Sequence, residues 1–468
     1  MRKRIALGVS IPAVVLFIGI LIALLLPSNL MVLTEALDHL GLLGSRKRIA
    51  GLVQSPPGPG DAPPLCFENG RLWDALSGPR DNTGLCIAAG RILPPSPPAG
   101  RPAGARVVDA TGLTILPGLI DMHVHSVGGS FAGEMMLGNG VTSARDLGTS
   151  LSGVLRYRRE TEQGLRLGPR LFVTGPYLVA GVGTSDQEIG VSSPAEAVAA
   201  VSRLAQAGVD GIKVHAGIDA TTLRAVVEAA RARGLWVAAH LDRVSAAQAA
   251  ELGVDTIEHG SGIDLDEGLA ASRQRREAME AMVARRVALT PTLVVAEHAV
   301  MLGRLARGDE PMPDTLAYVP RFFRRFWISS QIANAAAAHL SDDEIARRRA
   351  RLRRLEEFTA AFHAAGGHVL VGTDAPAFLV VPGFDMHREL ELLGEAGLRP
   401  DQALAAATSE AAAALGRSGD LGALSPGMRG DLLVVSGDPL AAGRVLGATR
   451  DIVLVVKDGR VARERPVN

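Results

Sequence analysis

Six side chains able to do chemistry stand at the ends of apolar runs. They are His123 and His125 in Pro117-Gly-Leu-Ile-Asp-Met-His-Val-His125, Lys213 in Gly-Ile-Lys-Val-His215, His240 in Val-Ala-Ala-His, His259 in Ile-Glu-His-Gly260 and Asp374 in Val-Gly-Thr-Asp. Residues i and i+2 of a β-strand point to the same side, so His123 and His125 can hold one metal ion together. Imidazole nitrogen and carboxylate oxygen are ligands that suit Zn²⁺ and other divalent ions. Taken singly, each residue has an ordinary explanation: a histidine at a strand end is a satisfied polar group, and Lys213 a surface cation with a snorkelling stem. Their shared placement at strand ends is what points to a site.

The runs that would position them are Ile115 to Ile120, Val141 to Ala144, Leu171 to Thr174, Gly211 to Val214, Trp236 to Ala239, Thr256 to Ile257, Val287 to Val295 and Val369 to Val371. Helical stretches rich in Ala, Arg and Glu, such as Ser193 to Gln206 and Ala220 to Arg233, separate them. Alternation of strand and helix implies a parallel sheet in the α/β class, and eight strands predict a closed (β/α)₈ TIM barrel over residues 117–416. The C-terminal strand ends of such a barrel converge on one mouth, which would gather all six side chains. The span from Ala296 to Ala365 is an excursion. It contains Arg321-Phe-Phe-Arg-Arg-Phe-Trp327 and an Arg-rich helix, Asp342 to Ala365, read either as a solvated basic face or as a cap over the mouth.

Residues 65–116 carry short apolar runs broken by Gly and Pro turns, too little to close a core alone. Residues 417–468 carry matching material in Asp431-Leu-Leu-Val-Val435 and Ile452-Val-Leu-Val-Val456. The two chain ends are therefore expected to form one small β-sandwich. Cys66 and Cys86, the two cysteines of the chain, precede similar Gly turns, Cys66-Phe-Glu-Asn-Gly and Cys86-Ile-Ala-Ala-Gly. On adjacent strands they could form a disulfide; two buried free thiols are the alternative.

Arg2-Lys3-Arg4 precedes Ile5 to Leu26, an uncharged stretch long enough to cross the ~30 Å hydrocarbon core of a bilayer as a helix. Residues 1–30 are read as an uncleaved single-pass transmembrane anchor, a cleaved secretory signal peptide being the alternative, and the basic cluster orients the rest of the chain to the extracytoplasmic side. Residues 31–64 are a juxtamembrane segment ending in a Pro/Gly linker. With 49 basic and 49 acidic residues among 468 the formal net charge is zero, so no global field attracts nucleic acid, and a small-molecule substrate is expected. Composition leaves a homo-oligomer open.

Leu116-Pro-Gly-Leu-Ile-Asp-Met-His-Val-His125 resembles the signature of the metal-dependent amidohydrolase superfamily, and Ile257-Glu-His-Gly260, Gly372-Thr-Asp-Ala375 and Gly427-Met-Arg-Gly-Asp-Leu-Leu-Val434 are similar to its other motifs. The likeness runs from about Leu65 to the end. Within the superfamily the chain most resembles the imidazolonepropionase-like and prolidase-like branch, through Tyr318-Val-Pro-Arg321 with Trp327 and Ala396-Gly-Leu-Arg-Pro-Asp-Gln-Ala-Leu404. The resemblance implies two divalent metal ions, zinc being the expected choice. His123, His125 and Asp374 would hold a buried ion, His240 and His259 an exposed one, and Lys213, carboxylated by carbon dioxide, would bridge them. Ile212 and Val214 would keep that amine desolvated and ready to react.

The implied activity is hydrolysis of a carbon–nitrogen bond, amide or peptide-like, a dipeptidase being one option. A metal-bridging hydroxide would attack, and Asp374 would serve as general acid/base. A deaminase or a lactone or organophosphate ester hydrolase on the same fold is the alternative enzyme; a catalytically inactive scaffold is the non-enzyme alternative. Relatives of the peptidase type carry Gly-Gly-His after the third strand, where this chain reads Gly175-Pro-Tyr-Leu-Val-Ala-Gly, and a tyrosine close behind the His240 position, where it reads Leu241-Asp242-Arg243. His215, Tyr177 and Arg145 are candidate substrate contacts, with packing beneath the site as the alternative for each.

Overall fold

The computed structural model describes residue 53 and residues 62–94, 100–125, 129–337, 341–441 and 451–465. The expected anchor over 1–30 and nearly all of the 31–64 segment lie outside them. Among the described residues no helix is long and apolar enough to cross a membrane.

The N-terminal β material forms β1 (Leu65–Asp74), β2 (Gly78–Ala88), β3 (Arg91–Ile92), β4 (Arg106–Asp109) and β5 (Leu113–Pro117). β1 and β2 are an antiparallel hairpin in which Cys66 faces Cys86, and a disulfide joins the two. Of the two alternatives for the cysteines, the bonded pair is the one observed. Gly118 then turns the chain into the barrel, so the run Ile115 to Ile120 is divided between two elements and is not the first barrel strand. β5 belongs to the small sheet, and the first barrel strand is β6 (Leu119–Val124). The apolar run is continuous because residues on both sides of the turn are buried.

The barrel continues with β7 (Val141–Asp146), paired in parallel with β6, and β8 (Arg170–Val173), paired in parallel with β7. A short parallel pair follows, β9 (Tyr177–Ala180) and β10 (Glu188–Val191). Next come β11 (Gly211–Val214), β12 (Trp236–Ala239), β13 (Thr256–Glu258) and β14 (Ala288–Thr290), again parallel. The Asp210 amide donates to the Val173 carbonyl at 2.8 Å, linking β8 to β11. The eighth position is taken by residues 369–375, which bridge to Leu289 on one side and Val124 on the other and close the ring. Gly372 makes that closure possible: a Cβ there would lie 2.5 Å from Thr290 Cγ2 and 2.8 Å from the Cβ of His123. All eight expected positions are filled. The seventh is shorter than Val287 to Val295, because Pro291 ends the ladder and Leu293 opens a helix, Leu293–Arg307.

The connecting helices carry ordinary local signals. Ser193 caps Pro194–Ala207 by accepting from the Glu196 amide and Gly208 closes it in the left-handed conformation, while Asp219 caps Ala220–Arg231. The excursion holds helices Leu293–Arg307, Arg321–Ala337 and Asp342–Ala364. The last buries Leu355, Phe358 and Phe362 and exposes Arg347, Arg349, Arg351 and Arg353, as a solvated basic face should. Leu355 also packs against Gly260.

The chain ends with β15 (Leu432–Ser436), β16 (Ile452–Lys457) and β17 (Arg460–Glu464). β15 pairs antiparallel with β5, so both chain ends share one sheet in the order β17-β16-β15-β5-β1-β2-β3, with β4 on β1. The expected sandwich is thus one continuous sheet curled on itself. Ile92, in the end strand β3, exchanges backbone hydrogen bonds with Gly427 and Met428 just ahead of β15. Its enclosed face has its own core of Leu65, Phe67, Ile87, Ile115, Leu432, Val434 and Leu454, separate from the barrel core.

Candidate metal centre

The barrel delivers the six side chains by backbone pairing between neighbouring strands. The His240 amide donates to Val214 O, the His259 amide to Thr290 O, the His125 amide to Ala375 O and the Asp374 amide to His123 O, at 2.7–3.0 Å. Two of these residues sit in the left-handed region, His259 at φ 61° and Asp374 at φ 58°, as does neighbouring Thr292 at φ 49°. Each such conformation costs about 1–3 kcal/mol, and it persists where the surroundings over-determine it. Here the over-determination comes from the strand pairing and from the hydrogen bonds of the side chains.

Nε2 of His123 lies 3.3 Å and Nε2 of His125 lies 3.1 Å from Oδ1 of Asp374. Ligand atoms of the three residues all fall within 4.8 Å of one another, a group able to hold one metal ion. The ring of His259 is 4.5 Å from that of His123 and 4.9 Å from that of His240, centroid to centroid. Lys213 is buried beside them.

Each of three histidines has its Nδ1 engaged away from the centre. His123 Nδ1 is 2.8 Å from Glu258 Oε2, and His125 Nδ1 is 2.8 Å from the Gly148 carbonyl. His259 Nδ1 is 2.7 Å from Thr292 Oγ1, whose own proton goes to the Pro291 carbonyl at 2.7 Å. Each acceptor fixes the proton on Nδ1 and leaves Nε2 bare for a metal. Asp121 braces the floor, accepting from the amides of His123 and Thr373 at 3.1 Å and from the Thr373 hydroxyl at 2.7 Å.

The residues fit a divalent ion on a direct observation. Nε2 of His123 and Nζ of Lys213 are buried without a hydrogen-bond partner. Two orphaned polar atoms in a protein interior are costly unless something else binds them. Burial pushes the Lys213 amine down to about 8, against the pull of Glu258 and Asp374. Burial, aided by the Lys213 charge, likewise takes His240 to about 3 and His215 to about 4, so both imidazoles are neutral and able to bind a metal at neutral pH.

Of the expected substrate contacts, His215 and Tyr177 lie beside the centre: the ring of His215 is 4.3 Å from His240 and 4.9 Å from Tyr177. Arg145 requires a correction. Its side chain follows β7 into the barrel interior and does not reach the mouth. Nε donates to Met122 O at 2.6 Å, Nη1 to Thr256 Oγ1 at 2.9 Å, and Nη2 to Glu258 Oε1 at 2.8 Å and Thr290 Oγ1 at 3.3 Å. With those donors engaged and the residue 2% exposed, it cannot meet a substrate.

Sequence reasoning missed Glu258 and Thr292. Glu258 was visible as the acid inside Ile257-Glu-His-Gly260, and Thr290-Pro-Thr292 was the polar end of the seventh strand. No pattern of spacing marks either as a histidine partner, because the partners lie 135 and 33 residues away.

Comparison with known proteins agrees with this fold. Among solved structures, a prolidase-like protein of Bifidobacterium longum superposes with a TM-score of 0.66 at 28% identity, covering 87% of this chain and 97% of that one. Bottromycin amidohydrolase superposes with a TM-score of 0.67 at 25% identity, covering 89% and 88%. A dihydroorotase of Geobacter sulfurreducens is 43% identical over 61 residues, so the match spans 13% of this chain and 14% of the relative. The sequence model of the amidohydrolase family matches residues 114–462, well over half of the 468, and the chain therefore belongs to the amidohydrolase family.

Proposed function

We propose that this protein hydrolyses a carbon–nitrogen bond in a small amide or peptide-like substrate. The observation that carries the proposal is the convergence of the bare Nε2 of His123 with the carboxylate of Asp374 and three further histidines, beside the buried, bare Nζ of Lys213 that feels the Asp374 charge. His123, His125 and Asp374 would hold a buried divalent ion, His240 and His259 an exposed one, and carboxylated Lys213 would join them; zinc fits this donor set. Ions in such a site supply a water acidified from ~16 toward ~7 and polarise the carbonyl under attack.

The chain's own part is positional and protolytic. Asp374 takes the proton of the attacking water on its carboxylate and returns it to the leaving amine, which makes it the general acid/base. Its left-handed backbone aims that carboxylate at both Nε2 atoms of the first strand. His215 and Tyr177 form an aromatic wall next to His240, where a substrate would lie. Lys213 favours the two-ion hydrolase over a one-ion deaminase. Hydrolysis of a panel of N-acyl amino acids, Xaa-Pro dipeptides, cyclic ureas and lactones, with product amine quantified for the first three and released acid for the lactones, tests the reading. Equal activity in wild type and Lys213→Ala would overturn it.

We further propose that the hydrolase stands outside the cytoplasm on an N-terminal anchor over residues 5–26. The Cys66–Cys86 disulfide supports that placement, since such bonds persist in oxidising compartments. Digestion of the domain by protease added to intact cells is the expected result; full protection would refute it.

A further inference from the structure

Arg145 and Glu258 form an ion pair inside the barrel, directly behind His123, with side chains 2% and 0% exposed. Their contacts run in one direction. The guanidinium is fixed by Met122 O, Thr256 Oγ1 and Thr290 Oγ1, and so ties β6, β13 and β14 to β7, from which it projects. It then donates to Oε1 of Glu258, which also accepts from Thr256 Oγ1 at 2.5 Å. The other oxygen, Oε2, faces Nδ1 of His123 at 2.8 Å. Each carboxylate oxygen thus has its own task, one anchored to the barrel and the other directed at the imidazole.

We propose that Arg145 and Glu258 are a positioning pair that orients His123 and keeps its Nε2 bare, and thereby sets the affinity of the buried ion independently of the exposed one. His125 leans on Gly148 O and His259 on Thr292 Oγ1, so of these three histidines only His123 is hydrogen-bonded to this pair. The exposed ion, held through His240 and His259, would meet it only through the electrostatics of the shared Lys213, and would respond far less. The inference rests on the two-ion reading of the site.

The test is zinc binding by the full chain, measured as metal content after equilibration with graded chelator, together with the thermal midpoint. Wild type is expected to retain two equivalents, released in separable steps; if it binds none, the two-ion reading itself fails. Glu258→Asp keeps the charge beside Arg145 and draws the carboxylate back from His123. It should fold, and should bind one of the two zinc ions about 10- to 100-fold more weakly while the other is unchanged. Glu258→Gln alone strands a buried guanidinium, so Glu258→Gln with Arg145→Gln is the companion variant. Removing both charges should restore the thermal midpoint relative to Glu258→Gln and leave the weakened zinc step as it was. Wild-type affinity for both ions in Glu258→Asp, or in the double variant, overturns the proposal, as does equal weakening of both steps.

Discussion

Oγ1 of Thr292 lies 2.7 Å from Nδ1 of His259 while donating its own proton to the Pro291 carbonyl, so the hydroxyl can only accept from the imidazole. A residue of the seventh strand end thereby selects the tautomer of a histidine on the sixth. Thr292→Val keeps the shape and removes the acceptor. Zinc affinity of the exposed site should fall about 10- to 100-fold, and Thr292→Ser should recover most of it. Equal affinities in competition with a chromogenic chelator would show that the contact does not matter.

Asp374 is both ligand and proton carrier in the proposed reaction. Asp374→Asn retains an oxygen near the Nε2 atoms of His123 and His125 but cannot accept the proton. Turnover should drop by about 10²- to 10⁴-fold while a substantial part of the metal remains bound. Metal loss in strict proportion to activity loss would reduce Asp374 to a ligand.

Carboxylation of Lys213 requires a neutral amine, and burial has brought that amine down to about 8. Below that value the neutral fraction falls about tenfold per pH unit; above it the fraction is nearly constant. Reactivation of chelator-stripped protein by zinc, at a dissolved carbon dioxide concentration held the same at every pH, should therefore speed up from pH 6.5 to 8 and level off beyond. A rate independent of pH across that range would count against a carboxylated bridge.

Glu389 accepts from the amides of Leu293 and Val294 at 3.0 and 2.7 Å, at the start of the helix behind Thr292. Burial lifts its carboxyl from 4.5 to about 8, the two amides opposing the rise. The folded protein thus keeps a proton that the unfolded chain gives up. This stabilisation is fully present below pH 4.5 and is lost as pH climbs to about 8, with a slope approaching ~1.4 kcal/mol per pH unit. Denaturant titrations of wild type and Glu389→Gln should diverge in slope through that window; parallel curves would contradict the assignment.

The Cys66–Cys86 bond closes a loop of 20 residues between β1 and β2. Cross-linking a loop of that size stabilises a fold by about 3 kcal/mol. Reductant, or Cys86→Ser, should lower the unfolding midpoint while the hydrolase keeps its activity below that temperature, because the β unit has its own core. An unchanged midpoint would mean that pairing with β5 and β15 suffices.

The sequence by itself determined the class, the number of barrel strands and the six chemically able side chains, since apolar runs of strand length ending in polar residues are a local pattern. The periodicity of two also placed His123 and His125 on one side. It could not divide Ile115 to Ile120 between two sheets, because a run buried in either looks the same. Arg145 shows the limit most clearly: a strand-end arginine reads as a substrate contact, and only the closed ring brings Thr256, Glu258 and Thr290, more than 100 residues away, to engage its donors. The tautomers of His123 and His259 and the left-handed backbones of His259, Thr292 and Asp374 were likewise decided by tertiary structure. Hydrogen-bond partners and strained dihedrals arise where distant strands meet at a barrel mouth, and no spacing along the chain records that meeting.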